Sequence, residues 1–269
     1  MAGSSLKRER ALPQATLSEH DGVRYLHLDS HWVQGAMRLK KPHALELEYV
    51  QRMMAWMLWR PVDELTHGRA LQLGLGAGSI TRFCHKVLHM KATAVELNPS
   101  VIAACHMWFH LPRTSDDRLR VVNDDAARYI ADPANLQSAH VINVDLYDHE
   151  AAAPVLDDEA FYCSCRGVLA HGGVMTVNLF GRNASFARSA GHLAAAFGIE
   201  QVWTLRPTRE GNTVVVAARN VEVPDRATLV ARADNIEHRY GLPARKWLRM
   251  VRPLSVPSAG SARDKESIG

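Results

Sequence analysis

Ala70-Leu-Gln-Leu-Gly74-Leu-Gly76-Ala-Gly78-Ser-Ile80 is the stretch on which the fold turns. A short apolar run stops at three glycines spaced two apart, and a helical pattern of apolar residues resumes at Ile80. Glycines at 74, 76 and 78 let the backbone turn tightly and approach a ligand with no Cβ in the way, and the helix that follows points its N-terminus at the same place. A dinucleotide fingerprint needs a further glycine at 79, where this chain has Ser79, so the spacing leans away from NAD.

Outward from that loop, strand and helix patterns alternate. Strands are expected at Ala70 to Leu73, Ala92 to Val95, Leu119 to Val122, His140 to Val144 and Val174 to Asn178. Helices are expected at Ile80 to Leu88, Pro99 to Phe109, Ala126 to Ile130 and Glu159 to Leu169, the last ended by Gly172-Gly173. This interval implies a parallel sheet with right-handed crossovers, an α/β fold. A helix near Phe186 to Phe197 precedes Glu200 to Leu205 and Asn212 to Ala218, which read as an antiparallel edge, and Pro224 to Tyr240 reads as a helix. On the N-terminal side, Val23 to Leu28 and Trp32 to Met37 predict a small hairpin or sheet, and His43 to Trp59 a helix beginning after Pro42.

Composition bounds the rest. The 269 residues are 47% hydrophobic and 22% charged, the makeup of a protein with one sizeable core. The formal charge of +4 comes from basic residues scattered along the chain rather than gathered into a face, which speaks against a nucleic-acid partner. Cys84, Cys105, Cys163 and Cys165 form no CxxC pair, and His106 with His110 lacks a third ligand, so no metal site is expected. No signal peptide or membrane span is visible, which predicts a cytoplasmic protein. Small and charged residues predict disordered tails over 1–20 and 253–269. Between them an N-terminal hairpin and helix (21–60) leads into a Rossmann-like catalytic domain (61–252).

The strand ends carry the chemistry. Glu96 follows the second strand, 22 residues after Gly74, where a carboxylate can accept both ribose hydroxyl protons. Asn123-Asp124-Asp125 closes the third strand, where a carboxylate can accept from an adenine amino group. Together with the glycine loop these groups specify an adenosyl pocket. The fourth strand ends in Asp145-Leu-Tyr147-Asp148. Two carboxylates beside such a pocket suit a cationic amine, supplying attraction for the ammonium and a base for its proton; the alternative is a single functional Asp, with Asp148 capping the next segment.

From about Leu28 to Ala218 the chain resembles the spermidine synthases, the polyamine aminopropyltransferases. Leu28-Asp29 followed by Gln34 is similar to the family's LDGxxQ element with one extra residue. The loop from Gly74 to Ser79 resembles its glycine motif, Glu96 its ribose carboxylate, Asp124-Asp125 its adenine-contacting Asp-Gly pair, and Asp145 to Asp148 its DxxD segment. Leu156 to Gly173 is similar to the helix and turn that follow. The resemblance implies a class I methyltransferase-type fold and decarboxylated S-adenosylmethionine as co-substrate, held by Gln34, Gly74, Gly76, Gly78, Glu96, Asp124 and Asp125. It further implies a small-molecule amine acceptor bound by Asp148, Tyr147 and Tyr49, with Asp145 as general base, in a homodimer.

The chain departs from the family at several places. Ala77 stands where the glycine motif has an Asp that pairs with the co-substrate's ammonium, Tyr49 keeps its place but not its neighbours, His149 replaces a proline after the DxxD segment, and Asn178 replaces a glutamine. Loss of the Asp leaves S-adenosylmethionine itself, and hence methyl transfer, as the alternative reaction, with a non-catalytic nucleotide-binding protein as a third reading.

Overall fold

The strand runs around the glycine loop are buried nearly throughout, with successive side chains pointing to the two covered faces of one sheet. In the computed structural model, which describes residues 12–113, 117–147, 156–180 and 183–255, β1 (Ala15–His20), β2 (Val23–Leu28) and β3 (Gly35–Arg38) form a small antiparallel sheet. Eight further strands form the main sheet: β4 (Arg69–Leu73), β5 (Lys91–Glu96), β6 (Leu119–Asn123), β7 (Ala139–Val144), β8 (Leu169–Phe180), β9 (Val202–Thr204), β10 (Asn212–Ala218) and β11 (Arg252–Pro253). Their order is β11-β9-β10-β8-β7-β4-β5-β6; β4 to β8 run parallel to their neighbours, while β10 joins β8, and β9 joins β10, antiparallel. The molecule is an α/β fold with the expected antiparallel edge.

Because successive strand side chains point to opposite faces, Ala70, Val141, Val174, Val214 and Val216 join one core and Leu71, Ile142, Met175, Val215 and Ala217 the other. Covering the first face are α1 (Glu48–Met53), α2 (Ser79–Arg82) and two helices introduced below; its core holds Trp56, Trp59, Trp203 and Trp247. The second face carries α4 (Ala126–Ala131), α5 (Glu159–Val168) and α6 (Asn183–Phe197), while α3 (Pro99–Trp108) shares a third cluster with β2 and β3. β4, β5, β6, β7, α3, α4 and α5 follow the expected positions within one residue at each end, whereas β8 begins at Leu169 rather than Val174 and α6 at Asn183 rather than Phe186.

The differences have local causes. Residues 15–20, expected in a disordered tail, pair with β2 from Ala15↔Leu28 to His20↔Val23. The strand is almost wholly exposed, so it carries no apolar alternation to betray it. The helix expected over 43–59 is shorter: α1 gives way to a 3₁₀ turn over Met54–Trp59, all six residues buried. A segment apolar on every side has no solvent face from which to read a period, and Pro61 forces Arg60 to extended geometry at its end. The helix after the glycine loop likewise passes from α2 into a π turn over Phe83–Val87.

Gly172-Gly173 does not end a helix. α5 stops at Val168, and both glycines lie inside β8, where the register with β7 jumps between Ala139↔Leu169 and Val141↔Val174. Gly172, at φ +73°, absorbs the extra residues as a bulge. His110 lies beyond the end of α3, so it does not share a helix face with His106. After α7 (Arg226–Tyr240), a further helix α8 (Ala244–Met250) went unread in the sequence, and β11 with the buried Leu254 carries ordered structure past residue 252. No helix among the described residues is long and apolar enough to cross a membrane.

Candidate active site

Strand order reverses at β4, whose neighbours β5 and β7 lie on either side, and in such sheets the crevice beyond the carboxyl ends at that point receives ligands. A cavity of about 1330 Å³ opens there. Gly74 and Gly76, Glu96, Asp124, Asp125 and Asp145 line it, together with Tyr49 from α1, Tyr147 after β7, and Gln34. Its described wall holds seven carboxylates (Asp29, Glu48, Glu96, Asp124, Asp125, Asp145 and Glu210) and neither lysine nor arginine. Two of them are paired with cations that do not line the cavity, Glu48 with Arg52 and Lys246 and Asp124 with Arg128, and the remainder give the wall its acidic character.

The loop explains its glycines. Gly74 has φ +84°, and a Cβ there would overlap the carbonyl oxygen of Asp145. Gly76 has φ +51°, and a Cβ there would come within 2.8 Å of the Gln34 carbonyl. The glycine loop is thus sandwiched between the end of β7 and the segment entering β3. Gly78, at φ +68°, initiates α2 against Arg82 and Cys105 and is not among the residues that line the cavity. Arg82, 1% exposed, braces the loop from behind by donating to the carbonyls of Ala77 and Pro42, and burial lowers its pKa to about 10.

Glu96 accepts from the Leu75 N–H (2.9 Å) and the Asn98 N–H (2.8 Å), one on each oxygen. That fixes the carboxylate in place and leaves a second lone pair on each oxygen for a pair of hydroxyls. Burial raises its pKa, against the pull of those backbone donors. Asn98 also ties down the chain start, donating to the Pro13 carbonyl at 2.7 Å, so residues 12–14, expected to be disordered, form part of the wall. Asp124 accepts from Arg128 Nε at 2.7 Å, and that bond lowers its pKa. Asp125 accepts from the Ala127 and Arg128 N–H groups as the N-cap of α4, so its carboxylate is largely spent on the helix.

Asp145 is held between two elements. Its Oδ2 accepts from the Tyr49 hydroxyl at 3.2 Å, and its Oδ1 from Asn178 Nδ2 at 2.9 Å. Burial raises its pKa more than these two bonds lower it. Tyr147 donates to the Asn178 carbonyl at 2.7 Å, and the same burial pushes both tyrosines up, with Asp145 adding to it. Asp148, His149 and Glu150 lie outside the described residues. The sequence marks Asn178 as a strand end and a departure from the family, and Asn212 as the start of a strand, but gives neither a role at Asp145.

A spermine/spermidine synthase domain matches residues 63–190. The polyamine aminopropyltransferase of Chromobacterium violaceum is 31% identical over 252 residues, 93% of this chain and 94% of the relative. The chain belongs to the spermine/spermidine synthase family. A probable spermidine synthase from Corynebacterium glutamicum has the same fold, with a TM-score of 0.67 at 22% identity over 85% of each chain. So does human methyltransferase-like protein 13, solved in complex with SAH, with a TM-score of 0.63 at 22% identity over 81% of this chain and 99% of that one. This family's relatives are transferases, and the fold is the one that class I methyltransferases share.

Against that family background, position 77 is informative. Ala77 is 2% exposed, belongs to the cluster of Leu26, Met37 and Val101, and lies under Gly35, where a Cβ would come within 2.6 Å of its own. Ala77→Asp is therefore expected to bury an unpaired carboxylate, costing about 3–5 kcal/mol, rather than to restore a co-substrate contact. Thermal unfolding checks this: a fall in Tm of roughly 10 °C is expected, and an equally stable variant would refute the packing account.

Proposed function

We propose that this protein transfers an aminopropyl group from decarboxylated S-adenosylmethionine to a small amine, with Asp145 as proton acceptor. Glu96 holds the ribose, Gly74 and Gly76 admit the nucleoside against the backbone, and Asp124 receives the adenine amino group. The acceptor amine lies against Asp145, Tyr49 and Tyr147. In the reaction its nitrogen lone pair forms a bond to the methylene beside the sulfonium sulfur, the carbon–sulfur bond breaks, and methylthioadenosine leaves with the electron pair. The amine's proton passes to Asp145. Positioning two cations together needs surrounding negative charge, and the protein supplies that as well as geometry.

The observation that carries this reading is the placement of Asp145. It is a buried carboxylate with one donor on each oxygen, set across the same cavity from Glu96. Burial favours its protonated form, which suits a group that must take a proton from an ammonium-derived amine near neutral pH. The test is release of methylthioadenosine when purified protein receives decarboxylated S-adenosylmethionine with putrescine, cadaverine or spermidine. No release with any of the three overturns the proposal.

A pH profile carries a further expectation. Asp145 works as the carboxylate, so kcat/KM rises with pH as it ionises, and the acid limb lies above the ordinary carboxylate range of about 4. Stability runs the other way. A carboxyl raised in the folded state contributes fully below its unfolded pKa, and that contribution is lost as pH rises through the folded value. An acid limb at or below the ordinary value would show that another group controls the rate.

Methyl transfer from S-adenosylmethionine is the second reading, favoured by the fold this chain shares with human methyltransferase-like protein 13, solved in complex with SAH. Formation of S-adenosylhomocysteine instead of methylthioadenosine would select it.

A further inference from the structure

The side-chain amide of Asn178 stands between two groups that make opposite demands on it. On the β7 side is Asp145, whose ionised carboxylate only accepts hydrogen bonds. On the β10 side is Asn212, whose Nδ2 donates to Asn178 Oδ1 at 3.1 Å. With its oxygen so engaged, Asn178 turns Nδ2 toward Asp145 Oδ1 at 2.9 Å. Rotating the amide by half a turn would set its oxygen against the carboxylate and its NH₂ against the NH₂ of Asn212, replacing two hydrogen bonds by two repulsive contacts.

Asn212 is itself oriented. The hydroxyl of Thr208, a residue only 6% exposed, accepts the Asn212 backbone N–H at 3.2 Å and donates to Asn212 Oδ1 at 3.5 Å. The Thr208 N–H donates to the Asn212 carbonyl at 2.8 Å, closing the turn between β9 and β10. Tyr147 takes the backbone carbonyl of Asn178, not its side chain. The result is a directed chain, Thr208 to Asn212 to Asn178 to Asp145, in which each donor points at the next acceptor and the last acceptor is the carboxylate.

We infer that Asn212 is a positioning residue for Asp145, acting through Asn178 by locking that amide with its N–H side toward the carboxylate. Its catalytic meaning rests on Asp145 being the proton acceptor, whereas the lock itself is testable without any turnover. Other titratable groups face Asp145 from neighbouring elements: Tyr49 from α1 and Tyr147 from the end of its own strand, with Glu48, Glu96 and Glu210 on the same cavity wall. Of these, Tyr49 alone bonds the carboxylate directly, on the oxygen that Asn178 does not touch.

The experiment is a carboxyl ¹³C titration of the full chain labelled at aspartate, with the Asp145 signal assigned by its loss in Asp145→Asn. In Asn212→Leu, which matches the size of asparagine and cannot donate, the bond that favours the charged form weakens. The Asp145 midpoint is then expected to rise by about half to one pH unit. Asn212→Ala, a smaller change, should move it the same way, and Asn212→Gln, which keeps an N–H donor, should return it to the wild-type value. The acid limb of transfer should follow these midpoints. Wild-type midpoints in both the Leu and Ala variants overturn the inference. Full transfer activity in Asp145→Asn would instead remove Asp145 as the base, and the midpoints would still decide what Asn212 does.

Discussion

Asp145→Asn is expected to lower kcat for aminopropyl transfer by about 10²- to 10⁴-fold while leaving nucleoside binding unchanged. The substitution keeps the size of the side chain and removes its capacity to take a proton. In the proposed arrangement the nucleoside is held by other strand ends that line the cavity, Glu96 on β5 and Asp124 after β6, and by the backbone of the glycine loop. Calorimetric binding of methylthioadenosine to the variant should therefore match the wild type. Loss of binding together with rate would mean that Asp145 holds the site together rather than acting on the acceptor. Retention of rate would exclude it as the base altogether.

What the sequence disclosed about this site depended on how each residue works. Groups that act at strand ends in the main sheet were legible, because the apolar strand before each one announces where it stops: Leu73 before Gly74, Val95 before Glu96, Val144 before Asp145. The wall contributed by Pro13 and Gln14 was not, since a polar exposed strand such as β1 carries no apolar alternation and looks like a tail. Ala77 invited a reading in terms of the co-substrate's ammonium, and only the approach of Gly35 from another sheet reveals it as a packing position. Asn178 and Asn212 were unreadable for a different reason. Their roles lie in the direction of a hydrogen bond between β8 and β10, and that direction emerges only when three side chains from separate strands meet. The 3₁₀ turn at Met54–Trp59 escaped because a wholly buried segment has no polar face to mark its period.

Gly74→Ala is expected to destabilise the protein by about 3 kcal/mol and to abolish measurable nucleoside binding. Two costs coincide at this position. At φ +84° an L side chain is strained, and the added methyl would overlap the Asp145 carbonyl oxygen, a backbone atom that cannot rotate aside. That carbonyl belongs to the residue whose N–H donates to the Leu73 carbonyl at 2.9 Å, so β4 and β7 are pinned together just where the methyl must go. Relief requires the two strand ends to separate, and separation moves the glycine loop away from Glu96, whose carboxylate is bonded to the Leu75 N–H. One methyl group therefore disturbs the turn, Glu96 and Asp145 together. The measurement is paired: a fall in Tm of roughly 6–12 °C, and loss of the stabilisation that saturating methylthioadenosine gives the wild type. Gly78→Ala, at a loop residue that does not line the cavity, should lose stability through its own φ of +68° yet keep ligand-dependent stabilisation once folded. A Gly74→Ala protein that melts like the wild type would show that the strand ends yield more easily than their hydrogen bonds imply.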